Sequence, residues 1–323
     1  MHRVQILKKA SASILLFVIF SNIGIAQQDP QFSLNMFNHL SINPGFAGSS
    51  EAIEASAIIR EQWIGFQGNP KTTVFSIHTP FKPFGINSGI GLNILDDKIG
   101  YYNDIGLMLS YSYKRVIGSG NLGIGINIGM LNKTIDPTDP GWDIPDSDMH
   151  TSASNDPAIP DGKETGMGFD MGLGGFYSND KFYTGLSVTH LFQPNIDLGE
   201  QAVAKLNRHL YFTAGYSFQL NNPLFEIVPS ILVKNSVSTQ FDVNALVRYN
   251  KKYWGGVSYR LQDAIVVIAG MKLGNGLMLN IAYDFTTSDI RGYSDGSVEF
   301  MIGYSMKISV DKGTQKYKSV RYL

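Results

Sequence analysis

Residues 121–132 read Asn-Leu-Gly-Ile-Gly-Ile-Asn-Ile-Gly-Met-Leu-Asn. Leu122, Ile124, Ile126, Ile128 and Met130 share one face of an extended chain, and Asn121, Gly123, Gly125, Asn127 and Gly129 share the other. Side chains of a strand alternate with period two, so this segment is a strand with one apolar face and one small or polar face. The same alternation recurs to the end of the chain. Behind an export signal, that pattern points to a transmembrane β-barrel, in which one strand face meets lipid and the other meets the lumen.

The export signal is read over residues 1–26. His2, Arg3, Lys8 and Lys9 make a basic start, Ile14 to Ile25 an apolar run, and Gly24-Ile25-Ala26 the small residues before a cut at Gln27. The run is shorter than the roughly 20 residues that a membrane-spanning helix needs. No cysteine occurs among the 323 residues, which excludes a lipid anchor at the cut, disulfides and thiolate metal sites. A formal net charge of -1 offers nothing to nucleic acid. Mean hydropathy of -0.04 and the lack of a second long apolar run argue against a helical membrane protein, whereas a barrel is apolar only at alternate positions.

Strand candidates fall at 53–60, 71–79, 88–97, 102–116, 120–133, 167–178, 181–190, 207–219, 226–236, 240–249, 254–262, 264–273, 276–285 and 297–308. Their number, fourteen, is even, and many are close to the 9–11 residues of a tilted barrel strand. Ile105, Leu107, Leu109, Tyr111 and Tyr113 form one face of the fourth, Phe212, Ala214, Tyr216 and Phe218 of the eighth, and Val298, Phe300, Ile302, Tyr304 and Met306 of the last. The charges Asp242, Arg248, Arg260, Asp284, Glu299 and Lys307 all fall on the opposite, lumen face. They either pair there or line a channel; a mid-membrane Arg or Lys on the lipid face would cost about 2–4 kcal/mol.

Connections sort by parity. With a periplasmic amino terminus, the longer segments 61–70, 134–166, 191–206 and 286–296 are all outer connections, and tight ones at 117–119, 179–180 and 274–275 are periplasmic. Barrels follow this habit, and a soluble sandwich has no reason to. Tyr101, Tyr102, Tyr183, Tyr253 and Trp254 at strand ends are expected to form an interfacial girdle. The expected architecture is therefore an all-β, antiparallel outer-membrane barrel of about 14 strands over 53–308. A short leader or plug over 27–52 and a periplasmic tail over 309–323 flank it.

Sites of chemistry are sparse. The loop 134–166 holds Asp136, Asp139, Asp143, Asp146, Asp148, Asp156, Asp161 and Glu164, but without calcium-loop spacing and with prolines interrupting it, so it reads as a solvated acidic loop. His39, His78, His150, His190 and His209 show no ligand spacing, so no metal site is expected. Gly172-Leu173-Gly174-Gly175 lacks the lysine and following helix of a phosphate loop and reads as strand glycine in a curved wall. No nucleophile motif is present, so no catalytic residue, cofactor or enzymatic activity is expected. The leader itself is apolar without alternation at Phe32, Met36 and Phe37, and Asn43-Pro44-Gly45 is turn chemistry. Two readings of it stand: a plug or lining of the periplasmic mouth, and a docking surface for a periplasmic partner.

At these residues the chain resembles the PorP/SprF family of type IX secretion system membrane proteins of the Bacteroidetes. The resemblance lies in Gln28-Asp29-Pro30-Gln31-Phe32-Ser33, Asn43-Pro44-Gly45-Phe46-Ala47-Gly48, Arg60, Gln62-Trp63, Pro70 and Thr72. It continues in Gly185-Leu186-Ser187-Val188-Thr189-His190-Leu191, Pro194, Gly256-Val257-Ser258-Tyr259-Arg260, Tyr283-Asp284 and Gly296-Ser297-Val298-Glu299. The family often has Ala where Gly45 stands and His where Val298 stands. The resemblance implies an outer-membrane barrel accessory to protein secretion or gliding motility. Its implied partners are the C-terminal domain of a secreted cargo protein, periplasmic secretion components and outer-membrane lipid. Candidate partner-binding residues are Asp29, Pro30, Phe32, Asn43, Pro44, Gly45, Gly48, Arg60, Gln62 and Trp63. The competing reading is a channel for small or hydrophobic solutes.

Overall fold

The structure, a computed structural model, describes residues 29–50, 52–65, 67–138, 162–199 and 202–307. The export signal, the tail 309–323 and the acidic loop from 139 to 161 lie outside the described residues. The strands are β1 (Ala52–Glu61), β2 (Lys71–Phe81), β3 (Ser88–Ile99), β4 (Tyr102–Ile117), β5 (Gly120–Ile135), β6 (Glu164–Ser178), β7 (Phe182–Thr189), β8 (Asn195–Leu198) and β9 (Ala202–Lys205). They continue with β10 (His209–Tyr216), β11 (Phe218–Gln219), β12 (Phe225–Asn235), β13 (Thr239–Tyr249), β14 (Tyr253–Arg260), β15 (Ala264–Lys272), β16 (Leu277–Thr286) and β17 (Ser297–Lys307).

Fourteen of these close into one antiparallel barrel. β1 to β7 pair in sequence, β7 pairs with β10, β10 with β12, β12 to β17 in sequence, and β17 returns to β1 from Ala52↔Lys307 to Glu61↔Val298. Closure gives every barrel strand a neighbour on both sides, as hydrocarbon requires of a spanning sheet. β8 and β9 form a hairpin of their own within the connection 190–208, and β11 is a two-residue extension paired to β12. No helix among the described residues is long and apolar enough to cross a membrane. All fourteen barrel strands coincide with segments marked by alternation.

The faces follow the alternation. Ile105, Leu107, Leu109, Tyr111, Tyr113, Ile124, Ile126, Ile128 and Met130 are exposed on the outer wall, and Ser110, Ser112 and Asn127 are buried on the inner one. The expected aromatic girdle needs correction. Tyr102 and Tyr253 are exposed, but Trp254 is buried and donates its indole N–H to Asn280 Oδ1 at 2.9 Å inside the lumen. Tyr183 likewise turns inward, stacked on Phe176. Position decides this: Trp254 shares the strand face of Ser258 and Arg260, which are both buried.

The lumen is occupied by the leader. It runs from Asp29, beside the ends of β7 and β10 where the longer connections cluster, to Ser50, where it enters β1 at the end of the short turns. On the way it makes a 3-10 turn at Asn35–Phe37, one helical turn at His39–Ile42 and a second 3-10 turn at Pro44–Phe46. Phe32 and Leu34 pack against Ile58, Val74, Val228, Leu246, Val266, Ile268 and Met301 of the inner wall. The molecule's main apolar core is thus the contact between leader and barrel. A second cluster forms where Ile196, Leu198 and Leu206 of the 190–208 connection fold onto Leu131 and Ile135 of β5.

The outer wall yields a direct test. Leu109 lies near the middle of β4 and faces outward. Leu109→Lys is expected to cost about 2–4 kcal/mol of barrel stability in bilayers, read as a lowered denaturant midpoint in unfolding from liposomes.

Candidate functional site

Ser33 sits at the centre of a buried ionic cluster. Its hydroxyl accepts from Arg60 Nη1 at 2.9 Å and Arg260 Nη2 at 3.1 Å, and it donates to the Asp284 carboxylate at 2.6 Å. Glu299 accepts the Ser33 N–H at 2.7 Å on one oxygen and the Leu34 N–H at 3.0 Å on the other. Arg60 spans Asp284 at 2.9 Å and Glu299 at 3.0 Å, while Arg260 reaches Asp242 at 3.3 Å and both Asp263 and Asp284 at 3.2 Å. Asp242 also accepts from Gln31 Nε2 at 3.1 Å. Both arginine side chains are 1% exposed and Glu299 is 0% exposed. Strand parity explains the convergence: Arg60 and Glu299 are register partners across β1 and β17, and Asp242 and Arg260 across β13 and β14. With two guanidinium donors on its lone pairs, the Ser33 hydroxyl is suited to fixing the segment and not to nucleophilic attack.

A second cluster holds the first described residue of the leader. Asp29 Oδ1 meets His190 Nε2 at 2.8 Å, and Asp29 Oδ2 accepts from the Tyr211 hydroxyl at 2.8 Å and lies 3.5 Å from His209 Nδ1. The other His190 nitrogen meets Asp170 Oδ2 at 2.7 Å, and Lys234 Nζ donates to the Asp29 carbonyl at 2.6 Å. Burial opposes charge at both Asp29 and His190, but the close opposite charges win. His190 is pushed up to about 10 by Asp29 and Asp170, and His190, His209 and Lys234 hold Asp29 well below the usual carboxylate range. His190 follows β7 with a φ of 51°, a left-handed turn at the start of the 190–208 connection.

The opposite end of the leader is held by close approach. Asn43 Oδ1 accepts the Gly45 N–H at 2.9 Å, closing the Asn-Pro-Gly turn, and its Nδ2 donates to the Gly175 carbonyl at 3.0 Å. Lys114 Nζ donates to the Gly45 carbonyl at 2.8 Å. A Cβ on Gly45 would meet backbone atoms of Gly123 and Gly174 at 2.8 and 2.9 Å, and one on Gly125 would meet the Pro44 carbonyl carbon at 2.5 Å. The lumen-facing glycines of β5 and β6 therefore do more than let a wall curve, because they make the seat for this turn.

Of the ten residues expected to bind partners, Phe32, Asn43, Pro44, Gly45 and Arg60 are buried in contacts between leader and wall. Asp29, Pro30 and Gly48 are half-buried in the leader, and Gln62 and Trp63 are half-exposed after β1. A partner reaches the buried ones only by displacing the leader. Of the six lumen charges, Asp242, Arg260, Asp284 and Glu299 join the Ser33 cluster. Arg248 stands apart, 4.0 Å from Glu226, and Lys307 is exposed at the end of β17. His209, Tyr211 and Lys234 carried no local signal, since their partner Asp29 is more than a hundred residues away in the chain, and Asp170 enters the cluster through His190.

The model of the type IX secretion system membrane protein PorP/SprF family matches residues 24–304. No curated protein matches the sequence. Among solved structures, the TodX deltaS2S3 mutant monoaromatic hydrocarbon channel superposes with a TM-score of 0.50 at 10% identity, over 84% of this chain and 94% of that one. The outer membrane protein Omp33 of Acinetobacter baumannii matches with a TM-score of 0.42 at 6% identity, over 81% and 100% of the two chains. At 10% identity the likeness to the TodX mutant is one of fold alone.

Two outcomes follow from the clusters. Arg60→Ala strips Asp284 and Glu299 of a buried partner and is expected to cost about 3–5 kcal/mol, read by chemical denaturation and by protease cleavage of the released leader. His39 lies among Phe46, Phe176 and Tyr183, and burial brings it down to about 4. Its neutral form favours the docked leader, so this contribution is complete above the unfolded value of about 6.5 and declines as pH falls toward 4. The difference in stability between wild type and His39→Phe, followed from pH 7.5 to 4.5, is expected to shift toward the variant as pH drops.

Proposed function

The chain belongs to the PorP/SprF family of type IX secretion system membrane proteins, and from that premise we propose that it is a plugged scaffold for secretion with no catalytic role. The barrel fixes the protein in the outer membrane. The longer connections, chiefly those that follow β5, β7 and β16, leave the barrel at its outer mouth and receive the C-terminal domain of a secreted cargo protein, which includes gliding adhesins in this reading. The turns at the opposite end face the periplasmic components of the machine. The observation that carries the proposal is the leader locked lengthwise in the lumen, because a barrel whose interior is filled by its own chain acts through its surfaces.

The two ends offer separate probes. Tyr293 is exposed in the 287–296 connection, and Phe84 is fully exposed in the turn between β2 and β3, held at a φ of 54°. A photo-crosslinking residue at Tyr293 is expected to capture cargo C-terminal domains in native cells, and one at Phe84 to capture periplasmic secretion components. Adducts to lipid alone at both sites would overturn the docking reading. The channel reading is tested in planar bilayers: wild type is expected to be silent, and Arg60→Ala, with its lock broken, to show intermittent conductance. Steady unitary current through wild type would favour the channel.

A further inference from the structure

We propose that Asp29, His190 and His209 form a binding site for one divalent transition-metal ion of the zinc class, clasping the leader to the barrel wall. Their ligand atoms lie within 4.8 Å of one another, the one such grouping found among the described residues. Two imidazoles and a carboxylate are a common donor set for zinc when thiolates are absent, and the Tyr211 hydroxyl or a water completes four-coordination. A tetrahedral ion with bonds of about 2.0–2.1 Å sets its ligand atoms roughly 3.3 Å apart. His190 Nε2 lies 2.8 Å from Asp29 Oδ1 and His209 Nδ1 3.5 Å from Asp29 Oδ2, so an ion between the imidazoles is held by the carboxylate through both oxygens or, after a turn of that group, through one.

One feature of the surroundings favours an ion and one has to be given up. Asp170 sits 2.7 Å from His190 Nδ1, the outer-shell carboxylate that fixes the ring and leaves Nε2 for a metal. His209 is fully buried, and its Nδ1, 3.5 Å from Asp29, also lies 3.0 Å from the Asn207 carbonyl, a hydrogen bond that it gives up on taking the ion. Binding exchanges the proton between Asp29 and His190 for the ion. The Lys234 ammonium opposes the added charge from its place on the Asp29 carbonyl, and the Asp29 and Asp170 carboxylates offset it. The ion would join a leader residue to the strand end after β7 and the strand start of β10, closing the lumen at the end of the long connections.

The test uses the full mature barrel purified in detergent, stripped with chelator and titrated with Zn²⁺ alone. Elemental analysis after desalting is expected to find one zinc per chain, and Co²⁺ in its place to give the intense visible absorption of a four-coordinate site. His209→Ala is the informative variant, because His190 also ties down the leader without metal. It is expected to bind at least tenfold more weakly while leader protection from protease persists, and Asp170→Asn to lose about 10–100-fold. Failure of wild type to retain zinc, equal retention by His209→Ala, or a weak octahedral Co²⁺ spectrum would each overturn the site. Because the readout is made on the isolated barrel, it is independent of whether the cargo-docking proposal holds.

Discussion

Five charged side chains, Arg60, Arg260, Asp242, Asp284 and Glu299, lie on the inner wall where almost no water reaches, and none of them is satisfied by the wall alone. Glu299 spends both oxygens on backbone N–H groups of Ser33 and Leu34, and both guanidiniums converge on the Ser33 hydroxyl. Buried charges are costly unless they are paired and hydrogen-bonded. Take the leader away and each of these groups loses a partner at once. The leader is therefore part of what makes this wall foldable, and the wall is what gives an otherwise irregular, partly apolar segment one conformation. Apolar packing of Phe32 and Leu34 adds to the same contact without choosing its register; the hydrogen bonds choose it.

The two ends of the leader are held by different physics. Near Asp29 the hold is electrostatic: carboxylates, imidazoles and an ammonium within hydrogen-bonding distance. Near Gly45 it is largely steric, a turn seated where glycines leave backbone open on β5 and β6. Charge pairs weaken when water enters and the local dielectric rises, whereas a close-packed backbone contact depends on shape. The peptide bond into β1 adds a covalent tether at the glycine end.

Much of this architecture was legible from alternation, because a barrel wall writes its two environments onto every second residue. Strand number, closure and the inward direction of Asp242, Arg260, Asp284 and Glu299 all follow from parity. The leader was legible as a plug or lining of the periplasmic mouth, but its run through the whole lumen was not. The leader has no period, and the same inner face of polar and small residues serves a water-filled pore or a plugged one. Trp254 shows the limit in miniature: strand-end position suggested the membrane interface, and face parity, which places it with Ser258 and Arg260, was the better guide. Asp29, His190 and His209 meet only after the barrel closes, so no spacing in the chain announced them. The glycines of β5 and β6 read as curvature because the segment that needs their missing side chains lies far upstream in the chain, at Asn43 to Gly45.

Fastening of this kind has a direction. His190 and His209 are the residues at which the 190–208 connection leaves and rejoins the barrel, and the intervening hairpin β8–β9 folds back on β5 through Ile196, Leu198 and Leu206. Lifting that connection would strain the Asp29 cluster first, ahead of Arg60 and the Ser33 cluster, with the glycine seat last. Water admitted from that side weakens the electrostatic anchors in the same order. Because the far end of the leader is covalently continuous with β1, a leader freed at Asp29 pivots about the end of the short turns and stays with the barrel. The fold thus couples the 190–208 connection at one mouth to the segment that fills the lumen, through two histidines and one aspartate.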